Sequence, residues 1–157
     1  MRTFLLSVHV LAAILCVGPV AIAASMFPAA ARAAHADPDD PTPGAVTAVL
    51  YRITRVYAMA GIVVPVFGLA IGSALGVNGQ AWLIVSMILT ALAAALLVMG
   101  VLPGQKELLR GPVALGAARA DRLSRGLAMR TGVFNLLWAI VVILMIARPG
   151  STTGAGL

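Results

Sequence analysis

Charged residues are scarce in this chain. Of 157 residues, eleven are Lys or Arg and five are Asp or Glu, 10% in all, against about a quarter in an ordinary soluble domain. A water-facing exterior must be largely polar, and there are too few such side chains here to build one. Cysteine is limited to Cys16, which excludes an internal disulfide framework and any multi-cysteine metal site. Aromatic residues make up only 5%, and the basic residues sit beside apolar runs, so the net charge of +6 does not describe a nucleic-acid surface. Also missing are a nucleotide-binding glycine loop, a nucleophile with a neighbouring base, and a His/Cys cluster of metal-ligand spacing. The sequence therefore assigns no catalytic residue, cofactor or metal site.

What fills the chain instead is apolar residues, 61% of the total. A helix needs about 20 residues to cross a hydrocarbon core. Four stretches meet that length or approach it, at about 3–27, 56–77, 81–102 and 131–147, and none contains Asp, Glu, Lys or Arg. The middle two are joined by the short polar turn Asn78-Gly79-Gln80, while the other two connections, about 28 residues each, carry all five acids. The first stretch has a competing reading as a signal peptide, since Arg2 precedes it and Ala21-Ile22-Ala23 fits a small-residue cleavage pattern. The charge count opposes that. Nine basic residues (Arg32, Arg52, Arg55, Lys106, Arg110, Arg119, Arg122, Arg125 and Arg130) flank the apolar stretches on the side of the long connections, against Arg2 and Arg148 on the other. The positive-inside rule then places the long connections in the cytoplasm and both termini outside.

The chain also resembles itself at an offset of 70. Arg52-Ile53-Thr54-Arg55-Val56-Tyr57-Ala58-Met59 aligns with Arg122-Leu123-Ser124-Arg125-Gly126-Leu127-Ala128-Met129, matching two Arg, a Thr/Ser pair, Ala and Met. Thr42-Pro43 reads as a helix cap with proline in the first turn, and Pro112 stands within one residue of the equivalent place. A last helix running from 112 to 147 would be about 54 Å long at about 1.5 Å per residue. The expected fold is all-α: an integral membrane four-helix bundle, a single domain of two tandem helical hairpins related by pseudo-twofold symmetry.

Several residues stand out within this frame. His9 lies inside the first span with Cys16 seven positions on; a histidine at membrane depth is a functional candidate. As a haem or copper ligand it lacks companions, because His35, the other histidine, falls at the opposite end of the span. Hydrogen bonding to a neighbouring helix is the plainer role. Gly68, Gly72 and Gly76 recur every four residues, a flat stripe for close helix packing, either inside the bundle or against a foreign helix. The pairs Arg52/Arg55 and Arg122/Arg125 each share a helix face and suit the phosphates of an anionic lipid such as cardiolipin, or plain interfacial anchoring. Asn135, the one amide in the fourth span, is expected to bond across helices, and Pro19 and Pro65 to kink theirs. Asp37-Pro38-Asp39-Asp40-Pro41 reads as a turn and helix start, not a metal site.

The opening Val8-His9-Val10-Leu11-Ala12-Ala13, followed by Val17-Gly18-Pro19, resembles a family of small uncharacterised four-span bacterial membrane proteins, distantly like the copper-resistance D type. Only His9 matches a ligand position, so the resemblance does not carry copper chemistry. Size and span number are similar to those of accessory subunits of the actinobacterial cytochrome bc–aa3 respiratory supercomplex. Together with the small-residue stripes and the absence of a reactive constellation, this implies a non-catalytic accessory or assembly subunit in the cell membrane. Its partners would be larger integral membrane subunits, most plausibly of a cytochrome c oxidase or cytochrome bc complex. The alternative is a small oligomeric transporter or metal-handling permease with His9 and Cys16 along a path.

The charge asymmetry has a direct test. A reporter active only in the cytoplasm should be silent when fused after Leu157 and active when inserted near Gly116, and a bright C-terminal fusion would overturn the orientation.

Overall fold

The computed structural model describes residues 2–76 and 79–149, and its regular elements are all helices. They are α1 (Arg2–Ala36), α2 (Pro41–Ala60), α3 (Val63–Leu75), α4 (Ala81–Leu96), a π-helical turn (Leu97–Val101), α5 (Leu102–Leu108), α6 (Pro112–Leu115) and α7 (Ala117–Ala147). They assemble into four rods, each long and apolar enough to cross a bilayer: α1, α2 with α3, α4 through α5, and α7. This is an all-α four-helix bundle with the make-up of a multi-pass membrane protein. The start of α1, the end of α3, the start of α4 and the end of α7 lie at one end, the terminal end; residues 37–40 and 109–116 lie at the other, the loop end.

Every rod continues beyond its apolar stretch, so the two long connections are themselves largely helical. α1 runs through Pro19 and Pro28 without a break to Ala36. The next helix starts at a different cap from the one the sequence suggested. Asp40, not Thr42, is the N-cap, because its carboxylate accepts the Thr42 backbone N–H at 2.8 Å and Pro41 supplies a first residue that needs no partner. Bonds from Thr42, its side chain first and its backbone second, hold the Asp40 carboxyl below its ordinary value. The last helix is also shorter than expected. Gly116 at φ 70 separates the single turn α6 from α7, leaving 31 continuous residues, about 46 Å. That still exceeds a hydrocarbon core of about 30 Å.

Two prolines set the irregularities. Pro65 has no N–H to give the Gly61 carbonyl, so Gly61 O takes the Val64 N–H at 3.1 Å and the rod breaks between α2 and α3. Pro103 likewise cannot serve the carbonyl four residues before it, and the chain widens into the π-helical turn, with Leu102 N–H reaching back to Leu97 O. Arg130 of α7 then donates to the Gly100 carbonyl at 3.1 Å, its stem lying over Gly100. Pro19 shows no comparable break. At the terminal end, Gly76 closes α3 in the left-handed region at φ 68, a conformation glycine adopts freely. Val77 and Asn78, the last residue of the expected second span and the first of its turn, lie outside the described residues.

Packing is uneven along the bundle axis. α1 is central, touching α2, α3 and α7, and α4 packs on α7, while α3 and α4 meet little beyond their turn. The continuous core sits toward the loop end: Val20, Ala24, Phe27 and Ala31 of α1 against Leu50, Leu97, Val101, Leu108, Leu127 and Phe134. The offset-70 counterparts Thr54 and Ser124 are both fully buried there, as are Leu50 and Ala120. Thr54 Oγ1 donates to Leu50 O at 2.9 Å and accepts Gln105 Nε2 at 3.3 Å. The two hairpins differ elsewhere, the first broken at residues 61–62 in its second rod and the second bulged at 97–101 in its first.

Phe27 is 0% exposed at the centre of this core, and Phe4 is 70% exposed near the other end. Phe27→Ala should cost about 3 kcal/mol of stability, since it removes packing contacts and leaves a void. Phe4→Ala should leave the melting temperature of the purified protein unchanged within about a degree or two.

Candidate functional site

Two hollows open between the four rods, one toward the terminal end and one about the middle of the bundle. The nearer, about 480 Å³, lies between α1, α3, α4 and α7. The deeper, about 510 Å³, is lined among others by Cys16, Gly61, Pro65, Thr90, Phe134 and Trp138. His9 belongs to the first and Cys16 to the second, so the structure does not bring them together in one site. Among the described residues no group of three His, Cys, Asp or Glu is placed to hold a metal. His35 lies at the far end of α1, its Nδ1 against the Ala31 carbonyl at 2.7 Å.

His9 is 7% exposed. Its imidazole lies between α1 and α3 against Gly68, and its Nδ1 is buried with no partner. Gly68 makes this seat: a Cβ there would stand 3.1 Å from His9 Cε1. Gly72 is buried and lines the same hollow, while Gly76 is exposed at the end of α3. The three glycines are thus not equivalent. The first gives room to a ring of α1, the second borders the hollow, and the third ends the helix.

The hollow's mouth is polar. Arg148, the left-handed residue that closes α7, stacks over Trp82 with its guanidinium carbon 5.6 Å from the ring centroid, and its Nε–H donates to Met145 O at 3.3 Å. Trp82 Nε1 donates in turn to Gln80 Oε1. Sequence reasoning missed this pairing, because Trp82 and Arg148 stand at the two ends of the second hairpin and only the antiparallel packing of α4 on α7 puts them level. A hint was available: each stands at the terminal-end limit of an apolar run.

The loop-end arginines are arranged differently. Arg52, Arg55, Arg122 and Arg125 are all exposed. Arg125 is held by Asp121 at 2.8 Å, whereas the other three make no ion pair among the described residues. Glu107 ties Arg110 and Arg119, each at 3.3 Å. Asn135 does bond across helices, its Nδ2 donating to Ser25 Oγ of α1 at 3.0 Å, and Ser25 donates onward to Ala21 O at 2.6 Å. Ser25 is exposed, so this polar pair sits on the outward seam of α1 and α7. Comparison with known protein families, characterised proteins and solved structures finds no match to this chain.

Gly68→Leu should push α3 from α1 and lower stability by about 2 kcal/mol, in the range of overpacked cores. Gly44→Leu, where nothing lies within 4 Å of the added Cβ, is the control expected to melt like the native chain.

Proposed function

We propose that the chain is a non-catalytic accessory or assembly subunit that docks laterally on a larger integral membrane protein. The observation that carries this reading is the Ser25–Asn135 pair on the outward α1–α7 seam. Hydrocarbon offers no hydrogen bonds, so polar groups in a span belong against protein. Around the pair the same faces carry small side chains: Gly18, Ala21 and Ala29 on α1, and Ala128, Gly132 and Ala139 on α7. An added Cβ at Gly18 or Gly132 would meet nothing within 4 Å, so these positions are open on the isolated chain. Small residues let two backbones approach closely, the main source of attraction between helices in lipid. The occupant is a transmembrane helix of the partner, with small residues of its own and a hydroxyl or amide level with Ser25.

In this reading the nine basic residues of the loop end face the cytoplasm, both termini lie outside, and the membrane is the plasma membrane. Arg52, Arg55 and Arg122, free of ion pairs among the described residues, hold anionic lipid phosphates there. The two hairpins descend from a duplicated unit, supported by the matched burial of Thr54 and Ser124. A respiratory cytochrome complex is the first partner to test, on the resemblance in size and span number.

Purification in mild detergent with mass spectrometry tests the reading. The native chain should bring down larger membrane subunits, with haem if the partner is respiratory. Gly132→Leu should reach the membrane at normal levels, because the added side chain meets open space, yet lose those subunits. A native chain that purifies alone or as a homo-oligomer would overturn the proposal, as would a Gly132→Leu variant that keeps its partner.

A further inference from the structure

We infer that the terminal-end hollow between α1, α3, α4 and α7 binds one lipid-like amphiphile whose head carries both an anionic phosphate and a hydroxyl, the pattern of phosphatidylglycerol. The inference does not rest on lateral docking, which uses the α1–α7 seam at the level of Ser25 and Asn135, whereas the hollow lies nearer the terminal end. Its size, about 480 Å³, falls within the roughly 300–1,000 Å³ of small-molecule sites. The lining is apolar except at one end. Leu6, Ala13, Ile14, Ile71, Leu83 and Val142 make a wall for an alkyl chain, and polar function is confined to His9, Trp82 and Arg148.

The two polar groups specify the head. Arg148 is a fixed cation: the Trp82 face and the Met145 carbonyl hold its guanidinium, and no carboxylate among the described residues pairs with it. It therefore offers charge-assisted donors to an anion. His9 asks for the complementary group. Its ring lines the hollow, and its Nδ1 is buried with no partner. An imidazole nitrogen can pair with a hydroxyl in either tautomer, since a hydroxyl both donates and accepts. A buried polar atom left unpaired is costly, and a hydroxyl partner removes the cost. Pairing of α1 and α7 through Ser25 and Asn135 places His9 within about a turn of the level of Arg148. One head can thus serve both, with its chain running toward Ile14 and Val142.

The test is native mass spectrometry of the full chain, offered phosphatidylglycerol, phosphatidylethanol or phosphatidylcholine in turn. Phosphatidylethanol has the same charge without the hydroxyl. Phosphatidylethanol should be retained about tenfold more than phosphatidylcholine, and phosphatidylglycerol several-fold more again, the ratios expected of one charge-assisted and one neutral hydrogen bond. Arg148→Gln should bring phosphatidylethanol down to the phosphatidylcholine level and lower phosphatidylglycerol about tenfold. His9→Phe keeps a flat ring beside Gly68 and should reduce phosphatidylglycerol to the phosphatidylethanol level, leaving phosphatidylethanol itself unmoved. If His9→Phe does not fold, Ala13→Phe replaces it; by filling the wall it should lower retention of all three lipids. Glycerophosphoglycerol, the head without chains, should fail to compete, which separates a lipid site from a free-phosphate site. Equal retention of the two anionic lipids, or unchanged retention in Arg148→Gln, would overturn the inference. So would complete loss when Arg52, Arg55, Arg122 and Arg125 are changed to Gln, since that places the lipid at the other end.

Discussion

A backbone carbonyl in hydrocarbon has no water to turn to, and the architecture of this chain follows from that constraint. It forces the apolar stretches into helices, and it governs each place where a helix cannot close its own bonds. Pro65 leaves Gly61 O to be served by Val64 N–H, which breaks the second rod. Pro103 leaves a gap that a π-helical turn absorbs, with Arg130 crossing from α7 to the Gly100 carbonyl. A lone long cation thus ties the two rods of the second hairpin at their most irregular point. Four hydroxyls of the rods obey the same rule, donating to carbonyls four residues back at Ser25, Thr54, Ser86 and Thr90, while those of Ser124 and Thr131 are buried without a partner.

Packing divides the bundle into a dense half and an open half. Near the loop end, small residues of α1 let α2 and α7 approach, and Phe27 fills the centre. Nearer the terminal end the second rod is broken at residues 61–62, and α3 and α4 barely meet. The hollows are the result. His9 occupies the seam where α3 returns to α1, which explains why a glycine, and not a larger residue, stands at position 68. A ring that would crowd a continuous stripe of side chains is accommodated by the one missing Cβ.

Polar side chains in the spans fall into two kinds. Thr54, Gln105 and Ser124 are enclosed by the core and serve local order. Ser25 with Asn135, and Arg148 with Trp82, stand at edges, one on the lateral seam and one at the hollow's mouth. In a chain so poor in polar groups, edge positions are where recognition of another molecule can be specified, because lipid contacts are otherwise uniform along every rod.

Sequence alone determined the class and the number of rods, since a helical period is not needed to recognise a run of apolar residues that spans a bilayer, and charge beside those runs marks their ends. It also identified Asn135 as a cross-helix donor, because an amide in hydrocarbon has few other options. It could not say that the cap was Asp40 and not Thr42, as both residues are competent and only the backbone course selects one. It could not separate Gly68, Gly72 and Gly76, whose spacing is uniform while their surroundings are not. Nor could it join residues from different rods. That Trp82 meets Arg148, that Ser25 receives Asn135, and that His9 and Cys16 fall in separate hollows are outcomes of how four rods tilt and pair. Those outcomes depend on contacts between side chains far apart in the chain, and no local pattern encodes them.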